Sequence, residues 1–357
     1  MITPSCKRNT GSLRGVRRFL TSARTGVLLL ALAAVAAPLC AQQYTIKFAT
    51  VAPEGSPWMN VMREFDRQIR AESGGRLGFK IYPNNVQGDE KDVLRKIKLG
   101  QLHSAGITGN GMTTIAPKLR ILDSPFLFKS ADEVDHIHTL FDGELNKSFE
   151  ENGFVNLGWS EVGFIYVFTN TPVRMPDDLK KVKMWMWEGD PIAQAAFGAM
   201  HVNPIPLSIT DVLTSLQTNL VDGFYTSPLA AIALQWFTRA KYMLNAPLAN
   251  ASGAVVVAKN KFDALPEDLR EILIRNGKIY MAKLTRVSRE ENAKAIETLK
   301  KNGITIVEPP SPEALALYEN IGRQARRLLV GKLYSQELLD RFEHAVYGYR
   351  EELGKKR

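Results

Sequence analysis

Trp185 and Trp187 stand two positions apart in the run Lys183 to Pro191, KMWMWEGDP, and are the residues of this chain whose type and spacing best suit a chemical task. That task is binding. Side chains alternate along a strand, so the two indoles point one way while Met184 and Met186 point the other. Rings on one face can stack on an apolar or aromatic molecule, or surround a cation if Glu188 or Asp190 supplies the counter-charge. Asp190 reads as an N-cap and Pro191 as the first helical residue, which sends the strand into a helix N-terminus. Ligands of open α/β sheets settle outside the carboxyl ends of strands. Core packing is the commoner use of either tryptophan alone; two on one face beside a turn favour a pocket wall.

Catalytic and metal-binding patterns are missing from the sequence. The histidines are His103, His136, His138, His201 and His344, and His136 and His138 cannot share a helix face at i, i+2 spacing. There is no H-E-x-x-H, G-x-S-x-G or phosphate-binding glycine loop. No enzyme activity, cofactor or metal site is expected.

Residues 1–41 carry Lys7, Arg8, Arg14, Arg17, Arg18 and Arg24 without an acid, then an apolar run from Val27 to Leu39 and Cys40-Ala41. This is the layout of a secretory signal peptide, with cleavage expected after Ala41 and the apolar run too short to span a bilayer. Leu39 before Cys40 argues against a lipid anchor. Cleavage takes six of the 46 basic residues and leaves 40 against 37 acidic ones, a net charge of +3 instead of +9. A nucleic-acid or membrane-surface role therefore loses its main support. Cys6 and Cys40 leave with the segment, so no disulfide or thiol chemistry is expected of the exported protein.

The rest of the chain must position the tryptophans. Tyr44–Thr50 alternates as a strand and passes into an amphipathic helix through Trp58, Val61, Met62, Phe65 and Ile69. Leu77–Tyr82, a helix from Asp89 to about Leu99, and Ser104–Thr108 complete a βαβαβ start to a mostly parallel sheet. Phe154–Ser160 and Phe164–Thr169 read as strands crossing to a second lobe, which holds helices from Pro191 and from Ser208 to Thr218. Gly253–Lys259 reads as a strand returning. A helix from Pro266 to about Asn302 would reach about 50 Å and lie across both lobes. Thr305–Glu308 and helices from Pro312 and Ser335 finish the chain. The expected division is 42–162 with 253–290 in one lobe and 163–252 with 291–357 in the other.

On its motifs the mature chain resembles the extracytoplasmic solute receptors of tripartite ATP-independent periplasmic (TRAP) transporters, the DctP family. The likeness rests on ATVAPEGSPW (Ala49 to Trp58), SGGR (Ser73 to Arg76), YPNNVQGDEKDVLRKIKLGQL (Tyr82 to Leu102), LDSPFLF (Leu122 to Phe128), FGAMHVNPIPLSITDVLTSLQTNLVDG (Phe197 to Gly223) and AKYML (Ala240 to Leu244). It implies an α/β, two-lobed, type II-like periplasmic binding protein with two hinge crossings. Such a protein closes on a small ligand and delivers it to small and large membrane permease subunits driven by an ion gradient.

The resemblance also implies an arginine two places after Lys183, gripping a ligand carboxylate, and this chain has Trp185 there. A second arginine is frequent after a turn like that at Gly163; here Phe164, Ile165 and Tyr166 follow. The family's Glu-Asn pair after Val-Asp-Gly is replaced by Phe224, Tyr225 and Thr226. A carboxylate in a dry cleft without a paired cation would cost several kcal/mol. The expected ligand is therefore apolar or aromatic, held among Trp185, Trp187, Phe164 and Tyr166, with Arg174 or Lys183 the alternative source of a cation for a carboxylate. Glu54, Trp58, Gln87 and Asn110 are expected to face the cleft from the first lobe, and Trp236 from the helix after Pro228. A ligand-sensing protein that docks on a signalling partner would need the same closing cleft.

Overall fold

The computed structural model describes residues 43–309 and 311–355, so the expected signal segment with its two cysteines lies outside the described residues. Strands β1 (Tyr44–Ala49), β2 (Leu77–Tyr82) and β3 (Ser104–Thr108) alternate with helices α1 (Pro57–Glu72) and α2 (Glu90–Lys98). Ser56 caps α1 by accepting from the Met59 amide, and Pro57 fills the first helical position, where its missing N–H costs nothing. Asp89 caps α2. Met59, Met62, Phe65 and Ile69 are buried together as their three- and four-residue spacing requires.

Helix α3 (Gly109–Ile115), a 3-10 turn over Pro117–Asp123 and α4 (Ala131–Glu151) follow. Helix α4 was not among the expected elements, although Val134, Ile137, Phe141, Leu145 and Phe149 form its buried stripe. The two strands expected after it are one, β4 (Phe154–Thr169). Its register shifts between Asn156 and Gly158 and between Glu161 and Gly163, and such bulges look like an interruption in sequence.

The second lobe holds β5 (Trp185–Trp187), α5 (Pro191–Ala199), β6 (Ile205–Leu207), α6 (Val212–Gln217), β7 (Gly223–Thr226), α7 (Pro228–Ala233) and β8 (Tyr242–Leu244). The helix expected from Ser208 begins as a 3-10 turn, Ile209–Asp211, before α6. Trp236 is not on α7: Gln235 adopts a left-handed conformation, φ 59°, and Trp236 opens a separate 3-10 turn.

Strand β9 (Ala249–Ala258) runs back, followed by α8 (Lys259–Asp263), α9 (Glu267–Lys301), β10 (Thr305–Val307), α10 (Pro312–Leu328) and α11 (Gln336–Lys355). The strand order β10-β8-β4-β9-β3-β1-β2 threads both lobes, with β7 also paired to β4. Pairs inside each lobe, β1 with β2 and β3, β5 with β6, and β8 with β10, are parallel. Every antiparallel pair involves a crossing strand, β4 or β9.

Alternation along β9 sets the layers, with Val255 and Val257 facing α1 and α9, and Ala254 and Val256 facing the helices of the opposite side. Leu269, Leu273 and Leu284 of α9 pack in one core cluster with α1 and β9, while Leu299 packs in another with β7 and Trp185. Helix α10 crosses back, from Tyr318 and Ile321 to Ala325. The expected placement of 291–357 wholly in the second lobe therefore needs correction at its end. Leu338, Phe342 and Val346 of α11 pack with Phe141 and Phe149 of α4, because the two apolar stripes meet.

Candidate functional site

Between the lobes, beyond the carboxyl ends of β1 and β3, lies a cavity of about 240 Å³. Trp185 and Trp187 share one face of β5 and both line it, with ring centroids 6.3 Å apart. Tyr225 stacks on Trp185 at 5.0 Å and Trp236 meets it edge-on at 5.2 Å, which makes one aromatic wall. Trp185 is 2 % exposed, and its Nε1 donates to the Leu207 carbonyl at 3.1 Å, so its polar handle is spent and the ring faces the cavity. Met184 points the opposite way, into the core with Val167 and Phe197.

Arg120 lines the same cavity at 3 % exposure and was not foreseen. Its Nη2 donates to Asp190 Oδ1 at 2.9 Å, its Nη1 to Thr113 Oγ1 at 2.9 Å, and its Nε lies 3.1 Å from Asp123 Oδ2 in ion-pair range without hydrogen-bond geometry. Burial works to lower the guanidinium pKa, but Asp190 and Asp123 outweigh it and hold it above its ordinary value. Burial pushes the Asp123 carboxyl up to about 6 against the pull of Arg120. Its Oδ1 accepts from the Ser252 amide at 2.8 Å. The Tyr225 hydroxyl, driven up by burial and then by Asp190, stays protonated.

Hydrogen bonds join the lobes beside Trp187. Trp187 Nε1 and Ser208 Oγ both donate to Asp89 Oδ2, at 2.9 and 2.8 Å, and Lys91 Nζ donates to the Glu188 carbonyl at 2.9 Å. With the Arg120 to Asp190 bridge, these contacts link the two lobes.

Residues 48–329 match the bacterial extracellular solute-binding protein family 7 model, DctP. The chain belongs to this family. DctP relatives include the C4-dicarboxylate-binding periplasmic protein of Rhodobacter capsulatus, 26 % identical over 85 % of this chain and 91 % of its own length. The 2,3-diketo-L-gulonate-binding periplasmic protein of Escherichia coli is 26 % identical over 75 % of this chain and 81 % of its own. A TRAP periplasmic solute binding protein from Ralstonia eutropha with bound (S)-2-acetolactate shares the fold. Its TM-score is 0.79 at 20 % identity, over 85 % of this chain and 99 % of the other. The two-lobed α/β fold is thus that of the DctP receptors, a family of solute-binding proteins.

In this DctP-family chain the expected ligand-site residues separate into two groups. Trp58, Asn110, Trp185, Trp187, Asp190, Tyr225, Thr226 and Trp236 line the cavity. The others lie elsewhere. Phe164 packs against the first-lobe core and Tyr166 against a second-lobe core, while Ile165 between them faces the cavity, because the bulge at Gly163 resets the alternation. Phe224 is fully buried, stacked on Phe168 at 5.0 Å. Glu54 is paired with Arg63 at 2.7 Å, a bond that lowers its carboxyl pKa, and Gln87 accepts from Lys96 at 2.8 and 3.1 Å. Glu188 offers only its backbone, to Lys91 and Leu207. Neither Arg174 nor Lys183 lines the cavity; Lys183 Nζ donates to the Asn219 carbonyl near Asp222. Among the described residues no helix is long and apolar enough to cross a membrane, and no cluster of His, Cys, Asp or Glu could hold a metal.

Proposed function

We propose that this DctP-family protein is a periplasmic receptor that closes its two lobes on a small ligand with an apolar or aromatic body. It hands that ligand to the small and large membrane subunits of an ion-gradient-driven TRAP permease. In this reading it is a receptor and not an enzyme, in keeping with a family of solute-binding proteins. One observation carries the choice of ligand: Trp185 stands in the wall at the place where the family resemblance expects the carboxylate-gripping arginine. Arg120, the one cation lining the cavity among the described residues, faces two carboxylates already, so it has no uncompensated charge to offer an anion. A cationic ligand fares no better, since Asp190, its intended counter-charge, is committed to Arg120 and to capping α5 at the Ile192 amide.

The second reading, a carboxylate receptor, draws on the C4-dicarboxylate-binding and diketogulonate-binding names of two relatives and on Arg120 itself. Native mass spectrometry of the purified mature protein, then tryptophan fluorescence titration, separates them. An apolar or aromatic co-purifying molecule is expected, whose affinity falls about tenfold in Trp185→Phe as stacking area is lost. Tight succinate or malate binding that survives Trp185→Phe sinks the apolar reading.

A further inference from the structure

The cavity carries polar atoms that an apolar body leaves unused. Asn110, 2 % exposed, has no hydrogen-bond partner for Oδ1 or Nδ2 among the described residues. Asn250, 1 % exposed, reaches Glu161 Oε2 with Nδ2 at 3.4 Å, and its Oδ1 has no partner among them. Arg120 Nε also lacks a hydrogen bond. All three residues line the one cavity. Thr108 pairs with Gly253, so both asparagines lie just past the same end of the ladder between β3 and β9.

Buried polar groups are nearly always paired, and each orphan costs about 1–3 kcal/mol. A packing role would not gather four such atoms at one place. Exchanging oxygen and nitrogen in the Asn110 carboxamide changes nothing, because both are orphaned. The atoms comprise two acceptors, Asn110 Oδ1 and Asn250 Oδ1, and two donors, Asn110 Nδ2 and Arg120 Nε. A primary carboxamide presents the complement, two N–H donors and one carbonyl oxygen with two lone pairs.

We infer that the ligand's polar end is a neutral carboxamide-type group read by Asn110, Asn250 and Arg120, an inference that rests on the apolar-body reading and completes it. A carboxylate has only acceptors. It would set its charge against both asparagine oxygens, in a site where Asp123 and Asp190 already take up the charge of Arg120 and Glu161 is held by Arg289. An ammonium has only donors and leaves Asn110 Nδ2 and Arg120 Nε unmatched.

The test uses four probes that share a ring and differ in the head: benzamide, benzoate, benzylammonium and toluene, titrated by calorimetry into the mature protein. Benzamide should bind at least about tenfold more tightly than each of the others, and Asn110→Ala should bring it down to the affinity of toluene. If Asn110→Ala misfolds, the isosteric Asn110→Asp, which turns the donor into an acceptor, should reverse the order of benzamide and benzylammonium. Benzoate binding as tightly as benzamide, or no benzamide binding at millimolar concentration, overturns the inference. It falls alone if toluene still binds and Trp185→Phe weakens that binding. If toluene fails and succinate binds regardless of Trp185, the apolar-body reading falls with it.

Discussion

Arg120 is a cation in a dry setting whose position is tolerable only because Asp123 and Asp190 flank it. Arg120→Met keeps the volume and leaves two buried carboxylates facing each other, which should cost about 3–5 kcal/mol in urea unfolding. The cost should grow with pH. Asp123 has a folded pKa of about 6 against 3.8 for the free side chain. A carboxyl raised in this way adds stability that is complete below its unfolded pKa and is lost as pH rises through its folded one. Removing Arg120 raises the folded value further, so the deficit at pH 8 should exceed that at pH 5; equal deficits would contradict the assignment. The aromatic pair was legible in sequence because its geometry is local, two positions on one strand face. Arg120 was not, because its partner Asp190 is seventy positions away and nothing nearby marks the residue as buried.

Elements whose signal is periodic were legible almost to the residue. Strands β2 and β3 have the expected bounds, and α9 runs Glu267–Lys301 within a position of its expected ends. Apart from α4, missed although Val134, Ile137, Phe141, Leu145 and Phe149 form a regular stripe, what failed was local exceptions to a period. The bulges of β4 made one strand look like two, and that slip of parity placed Phe164 and Tyr166 in the cavity instead of Ile165. Nor could sequence show why α9 carries Gly277 mid-helix, where alanine has the better propensity by about 1 kcal/mol. A Cβ there would lie 2.5 Å from the Leu157 carbonyl oxygen, because the helix and β4 approach closely. Overpacking against backbone costs about 1–3 kcal/mol and outweighs the propensity gain. Gly277→Ala should thus lower stability on thermal unfolding, while Gly143→Ala on the exposed face of α4, with nothing within 4 Å, should raise it. The same sign for both would refute the close-approach account.

For the molecule as a whole, capture on the proposed reading depends on the balance between open and closed lobes, and a ligand shifts that balance only by binding one form better. Asp89 is placed to set it. Its Oδ1 accepts from the Glu90 amide at the start of α2, and its Oδ2 accepts from Trp187 and Ser208 of the other lobe. One carboxylate therefore joins a helix cap to lobe closure. Asp89→Asn separates them: its amide oxygen can still cap α2, while its nitrogen, a donor, meets the donating Trp187 Nε1. Losing one charge-assisted bond worth about 1.5–3 kcal/mol should weaken ligand affinity by about tenfold to a hundredfold, mostly by populating the open form. Small-angle scattering of the ligand-free variant should show a larger radius of gyration than the parent, with the thermal midpoint little changed because the cap survives. Asp89→Ala should open the lobes and lower the midpoint as well, since it removes both functions. An unchanged radius in both variants would mean that closure is held elsewhere, by the Arg120 to Asp190 bridge or by the crossing strands themselves.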